Sequence, residues 1–403
     1  MPNDNLKAIV SEGFVSAKSG KGVETYLSLL PYHQNGQMQK ECHYAFGWII
    51  YYALHQTPDS EILERKKMLA IYLKLCVPRP HKLHSMILTE AVRLAHDAKA
   101  AAYNKKESDI VQFVISAFMS LWDFSNLRPG DWRVKEHEGQ KLPSLVEKLI
   151  TVYTDELEDR KLQPSATFVG IVDKALEVNP LSPSLLSKRA SLHMMCGNTE
   201  EARHMLRQAL LLAPGKFFLW SRLAALISPA ENTRLYLALL YRALCAPGQE
   251  QFKGRIRLMI ANALLSHGMA AEALHELLLV KQCYESNGWH MPKAYDEAMN
   301  KIPKGTIPVS PSRIYDKVSH LADEEIYGAI SPIGMTKTYH KPPTDKCKYT
   351  AWRVTDSNGQ NFWLQPHRWG INPDLPHGTA LHVRLHLGKV VHAEVCELRP
   401  EKA

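Results

Sequence analysis

Three alanines set the frame of this chain. Ala175, Ala209 and Ala243 are spaced 34 residues apart, twice, inside the matching segments "VDKALEVNP", "LRQALLLAP" and "LYRALCAP". Each is followed by Leu, and a Pro comes four or five residues after it. A proline cannot continue a helix, and a small residue lets two helices approach closely. The period is that of a helix–turn–helix unit which buries its apolar face only by stacking on the next copy.

The copy Pro183–Lys216 shows the pattern best. Its core, "LLSKRASLHMMCGNTEEARHMLRQALLLAP", reads as helix, Gly197 in a turn, then helix, with Ala190, Ala202 and Ala209 at the close approaches. A further copy, Ala261–Val280, repeats it with Gly268 and Ala273. A 34-residue period of this kind is the signature of tetratricopeptide repeats. The first 140 residues also carry apolar positions at three- and four-residue spacing, in "GVETYLSLLP", "CHYAFGWIIYYALH", "SEILERKKMLAIYLKLC" and "SDIVQFVISAFMSLW". They are expected to be diverged helix pairs.

The period changes near the C-terminus. "GTIPVSP" (Gly305–Pro311) breaks the helical array, and Ser312–Gly328 reads as one more helix. Five strands are expected after it: Met335–His340, Lys348–Thr355, Gln360–Gln365, Thr379–Leu387 and Val390–Leu398. The expected organisation is mainly α: an N-terminal helical-repeat-like region (1–140), tetratricopeptide repeats (141–305), a linker with a short helix (306–331) and a small five-stranded β-barrel (332–403).

Side-chain alternation fixes two registers as expectations. A three-residue loop Leu387–Lys389 pairs Leu385 with Val391, Val383 with Ala393 and Leu381 with Val395, which makes one face wholly apolar. In the second hairpin, a four-residue loop Asp356–Gly359 sets Trp352 directly across from Trp363. The Ala351/Leu364/Phe362 face then turns to the core, and the two tryptophans lie together outside. Paired exposed aromatics on a small barrel form a stacking surface for bases. The stretch from Gly334 onward carries ten Lys/Arg against six Asp/Glu. Lys348, Arg353, His367, Arg368 and Arg384 are the expected phosphate contacts, which add affinity but little sequence choice. Alternatively, both indoles pack against the loop His367–Pro376 or against a repeat.

Other functions have less support. "SAKSGKGVE" lacks the spacing and the preceding strand of a phosphate-binding loop. The seven cysteines are scattered singly, with no CxxC pair, so no zinc site is expected; dispersed thiols suit a cytoplasm. His382, His386 and His392 share a strand face with Glu394, but a solvated face explains them better than a metal. No nucleophile–base or paired-carboxylate arrangement stands out, so neither an enzyme nor a cofactor is expected. "MPNDNLKAIV" shows no secretory signal pattern, and no apolar run approaches membrane length. In the best repeat, Ser187, Ser191, Met194 and Met195 fall on the inner helix. They would line a groove for an apolar or helical peptide rather than clamp a carboxylate.

The segment "NFWLQP…DLPHGTALHVRL…GKVVHAEVCEL" resembles the later half of a cold-shock or S1-type OB domain. The whole chain is similar to bacterial proteins that join tetratricopeptide repeats to such modules in TOTE biological-conflict (defence) gene clusters. The matching stretches are Leu121–Trp132, Pro143–Leu157, the repeats and Ile314–Gly328. Members of that family often carry several OB modules, whereas this chain has room for one. The resemblance implies a non-enzymatic adaptor that holds a protein on its repeats and single-stranded nucleic acid, RNA before DNA, on its barrel. The alternative is a pure protein-interaction scaffold whose barrel docks a protein.

Overall fold

The computed structural model describes residues 2–102, 127–137, 140–248, 250–343, 349–369 and 371–396. The chain divides into two compact units, Met1–Asn198 and Thr199–Ala403. The division falls inside the best-matching repeat. The expected helix at "SDIVQFVISAFMSLW" and the first part of the segment Leu121–Trp132 lie outside the described residues.

The first unit opens with α1 (Pro2–Ser16), α2 (Gly22–Gln34), α3 (His43–Gln56), α4 (Ile62–Leu73) and α5 (Lys82–Ala102). "AKSGK" forms a π-helical kink between α1 and α2, with Gly20 at φ 106°. Gly22 then seats α2 against α3. A Cβ there would lie 2.7 Å from the Tyr52 carbonyl carbon, and the Gly22 N–H donates to Gln56 Oε1 at 2.7 Å. Helix does not run on through residue 140: β1 (Lys135–His137) and β2 (Gln140–Leu142) pair as an antiparallel hairpin. Then follow α6 (Leu145–Arg160), α7 (Ala166–Val178) and α8 (Pro183–Met195). Each starts on a serine, Ser144, Ser165 or Ser182, whose hydroxyl accepts a first-turn N–H. Each such cap contributes about 0.5–2 kcal/mol.

The second unit continues in helices: α9 (Thr199–Leu212), α10 (Phe217–Ala224), α11 (Thr233–Cys245), α12 (Gly254–Ser266), α13 (Ala270–Ser286) and α14 (Lys293–Met299). Pairing of α10 with α11 and of α12 with α13 builds the array. Ala202, Ala209, Ala243 and Ala273 are fully buried, as the spacing requires. Helix α15 (Ser312–Tyr327) folds back across α11 and α9. Tyr315 stacks on Tyr241 at 4.3 Å and its hydroxyl donates to Glu276 Oε1 at 2.7 Å. Near the other end of α15, Asp323 meets Arg242 at 2.8 Å, and Glu325 accepts from Arg203 at 2.7 and 2.8 Å. Apolar anchors three and four residues apart (Tyr315, Val318, Ala322, Ile326) give this segment one buried face, by which the helix docks.

Five strands complete the unit: β3 (Ile333–Lys341), β4 (Ala351–Asp356), β5 (Asn361–Leu364), β6 (Ala380–His386) and β7 (Lys389–Val395). Their order is β5-β4-β3-β6-β7, with every neighbouring pair antiparallel. The sheet curls into a half-barrel whose edge strands, β5 and β7, touch. Trp352, Val354, Phe362, Leu364, Leu381 and Val383 fill its inside.

Both expected registers need correction. The last hairpin keeps Leu381 opposite Val395, Val383 opposite Ala393 and Arg384 opposite His392, then slips at Leu385, which pairs with Val390. A two-residue turn, Leu387 (φ 50°) and Gly388 (φ 71°), closes it, and a bulge absorbs the extra residue. Two consecutive positive-φ residues make a tight two-residue turn whose twist matches that of the strands. The β4–β5 hairpin is shifted by one residue: Thr355 pairs with Asn361, and Trp352 with Leu364. Asp356 causes this. Its backbone N–H donates to the Gln360 carbonyl at 3.0 Å, and its Oδ1 accepts from the Asn358 and Gln360 N–H groups, so the turn consumes one more residue.

Candidate functional site

The shifted register decides which aromatic residues face outward. Trp352 is fully buried in the sheet core, while Trp363 remains 58% exposed on the other face. The two tryptophans are therefore not a pair. The Trp352 indole N–H donates to the Pro373 carbonyl at 3.1 Å, and the Lys337 ammonium sits 4.2 Å from its ring centroid. Lys337 is itself buried and donates to the Leu375 carbonyl. Burial holds its ammonium below the ordinary lysine range, against the pull of Asp374. Trp352 is thus a core residue tied to the Pro373–Leu375 loop.

A different aromatic set occupies the outer face. Tyr339 on β3 pairs with Arg353 on β4, and Arg353 pairs with Trp363 on β5. The three side chains form one rung across three strands. Tyr339 and Trp363 meet edge to face, with centroids 6.2 Å apart and planes at 87°. The Arg353 guanidinium lies 5.5 Å from the Tyr339 ring centroid. Tyr339 is 45% exposed, and Arg353 is exposed too. This rung exposes two aromatic rings and a guanidinium to solvent.

Tyr339 was hidden from sequence reasoning by parity. Met335 and Lys337 point inward, so strict alternation sends Tyr339 inward as well. The ladder between β3 and β4 slips between Lys337 and Tyr339, and that bulge turns Tyr339 out.

Of the remaining expected contacts, Arg384 alone has a described side chain. Lys348 lies outside the described residues. His367 and Arg368 fall in the 3-10 turn Pro366–Trp369, but their side chains are not among those described. Arg384 is not a free phosphate contact. Its Nε donates to the Ile330 carbonyl at 3.0 Å and its Nη1 to His392 Nδ1 at 3.0 Å. His392 is buried rather than solvated, 3.6 Å from Asp323 and against the rings of Tyr327 and Trp369. Arg384 and His392 thereby fasten the sheet to α15. Among the described residues, no three His, Cys, Asp or Glu side chains converge as metal ligands.

The expected peptide groove on α8 also changes. Ser187 and Ser191 are buried, and α8 packs against α6 and α7. Met195 is half-buried against the core, and Met194 is exposed. The serines are packing residues because α8 turns its small side chains toward its neighbours, as close helix approach demands.

Residues 186–322 match a family described as a domain of unknown function (DUF7017), a stretch running from α8 into α15. No curated protein matches the chain. Among solved structures, the crystal structure of yeast Tom70 is similar at 12% identity, with a TM-score of 0.31, over 81% of this chain and 74% of that one. So loose an overlay transfers neither a partner nor a role. No helix among the described residues is long and apolar enough to cross a membrane.

Proposed function

We propose that the chain is a non-enzymatic, cytoplasmic adaptor. Its helical array holds a protein partner, and its C-terminal sheet, read as an OB-like module, binds single-stranded nucleic acid. The observation that carries the second half is the rung Tyr339–Arg353–Trp363. Bases of any identity stack on aromatic faces, and an arginine among them adds cation–π and phosphate attraction. The strand order supports the OB-like reading, because β3 pairs with both β4 and β6 while β5 approaches β7. The helical array supports a scaffold role through its paired helices and its exposed residues such as Met194 and Phe218. The sequence resemblance adds a bacterial conflict-system setting, which the neighbouring genes would test.

Binding of labelled single strands and duplexes by the full chain tests the nucleic-acid half. Single strands should bind more tightly than duplex, and log affinity should fall as log salt rises. Arg353→Gln should reduce that salt slope by about one. Equal binding of duplex, or a slope unaffected by Arg353→Gln, would count against the rung. A second reading, in which the sheet docks a protein, draws on the same exposed Tyr339 and Trp363, since aromatic residues also anchor protein interfaces.

A further inference from the structure

A cleft lies at one end of the half-barrel, lined from the end of β3, the start of β4, the end of β5 and the start of β7. Its volume is about 340 Å3, at the small end of ligand pockets. Trp363 and Trp369 both line it, and Ala351, Leu364 and Val390 supply its apolar surface. Two polar residues, Gln365 and Lys341, complete the lining. Among the described residues, neither makes a side-chain hydrogen bond or ion pair, and none of the lining residues is a carboxylate. Trp369 is held from behind by Tyr327, at 6.4 Å and 83°, and by His392, at 5.8 Å. Its position is therefore fixed before anything binds.

We infer that this cleft takes one nucleotide of the single strand, with its base between the indoles, the Gln365 amide at the base edge and Lys341 at the phosphate. The inference rests on the single-strand reading above and extends it, because the rung is indifferent to base identity while this slot is not. Three features favour a nucleotide. Flat aromatic side chains suit a planar ring. A side-chain amide offers both a donor and an acceptor, the chemistry that reads a base edge. A lysine ammonium suits a phosphate. Trp363 belongs to both the rung and the cleft, so a strand stacked on the rung is already at the entrance.

The test uses the full chain and labelled homopolymeric single strands of each base, as RNA and as DNA, followed by fluorescence anisotropy. Wild type should prefer one base over the least favoured by about tenfold. Gln365→Leu should flatten that ranking while retaining binding. Ala351→Leu adds bulk to the apolar lining while keeping both polar residues. It should weaken the preferred homopolymer by about tenfold and leave the thermal melt unchanged. Wild-type binding with no base preference, or variants with the wild-type ranking and affinity, would overturn the slot and leave the rung standing. Failure of wild type to bind any strand would sink both. Preferential capture of an extended peptide along the β5 or β7 edge, with no nucleotide competition, would also overturn it.

Discussion

Trp352 and Trp363 are eleven positions apart, identical in chemistry and opposite in role. One fills the sheet core and the other faces solvent. Trp352→Ala should destabilise the sheet by about 3–5 kcal/mol, the usual cost of emptying a buried aromatic site. Trp363→Ala should change stability by less than about 0.5 kcal/mol. Chemical denaturation of both variants checks this, and similar losses at the two sites would contradict the register. A second residue-scale expectation concerns His84, which is fully buried on α5 beside Tyr72. Burial pushes its imidazole down from 6.5 to about 4, with Arg79 adding to the shift and Asp131 opposing it. Between those values the unfolded chain binds a proton that the folded chain does not. Stability should therefore fall as pH drops from about 6.5 towards about 4. Melting curves across that window should be flatter for His84→Gln than for wild type; parallel curves would show that His84 does not drive the loss. The individual residues were the least legible in the sequence. A one-residue register shift reverses every side chain on a strand, and it was set by the Asp356 turn, which hydrophobic alternation does not encode.

At the scale of elements, the sequence was far more informative. The 34-residue spacing of Ala175, Ala209 and Ala243 reports a packing constraint, and all three positions are buried. Ala209→Phe should overpack its helix contacts and cost about 1–3 kcal/mol. An unchanged thermal melt would mean that position 209 has room the repeat does not allow. The strands were legible as segments because each alternates. Their boundaries moved by a few residues and their partners by one, because turns and bulges rest on backbone geometry. Helix α15 was visible as a helix, yet its destination was not. Its acidic pair finds arginines far away in the sequence, Glu325 with Arg203 and Asp323 with Arg242. The β1–β2 hairpin went unforeseen because its short, charged strands carry no apolar alternation.

For the whole molecule, the sequence foretold helices followed by a small sheet, and the structure has that order. It did not foretell how the sheet is fastened within the second unit, by Arg384 and His392 against α15. The face of His382, His386 and His392 looked solvated; His382 does stay exposed, and only tertiary packing covers His392 and half-buries Arg384. Net charge of +8 gives a general attraction to polyanions without naming one. The central claim is that the exposed rung binds a single strand. Fluorescence anisotropy with labelled single-stranded RNA and DNA, at two salt concentrations, should compare wild type with Tyr339→Ala/Trp363→Ala. Stacking on an aromatic contributes about 1–3 kcal/mol per base, so loss of both rings should weaken binding at least about tenfold with the fold intact. Equal affinity of the double variant, or no binding by wild type even at low salt, would contradict the claim.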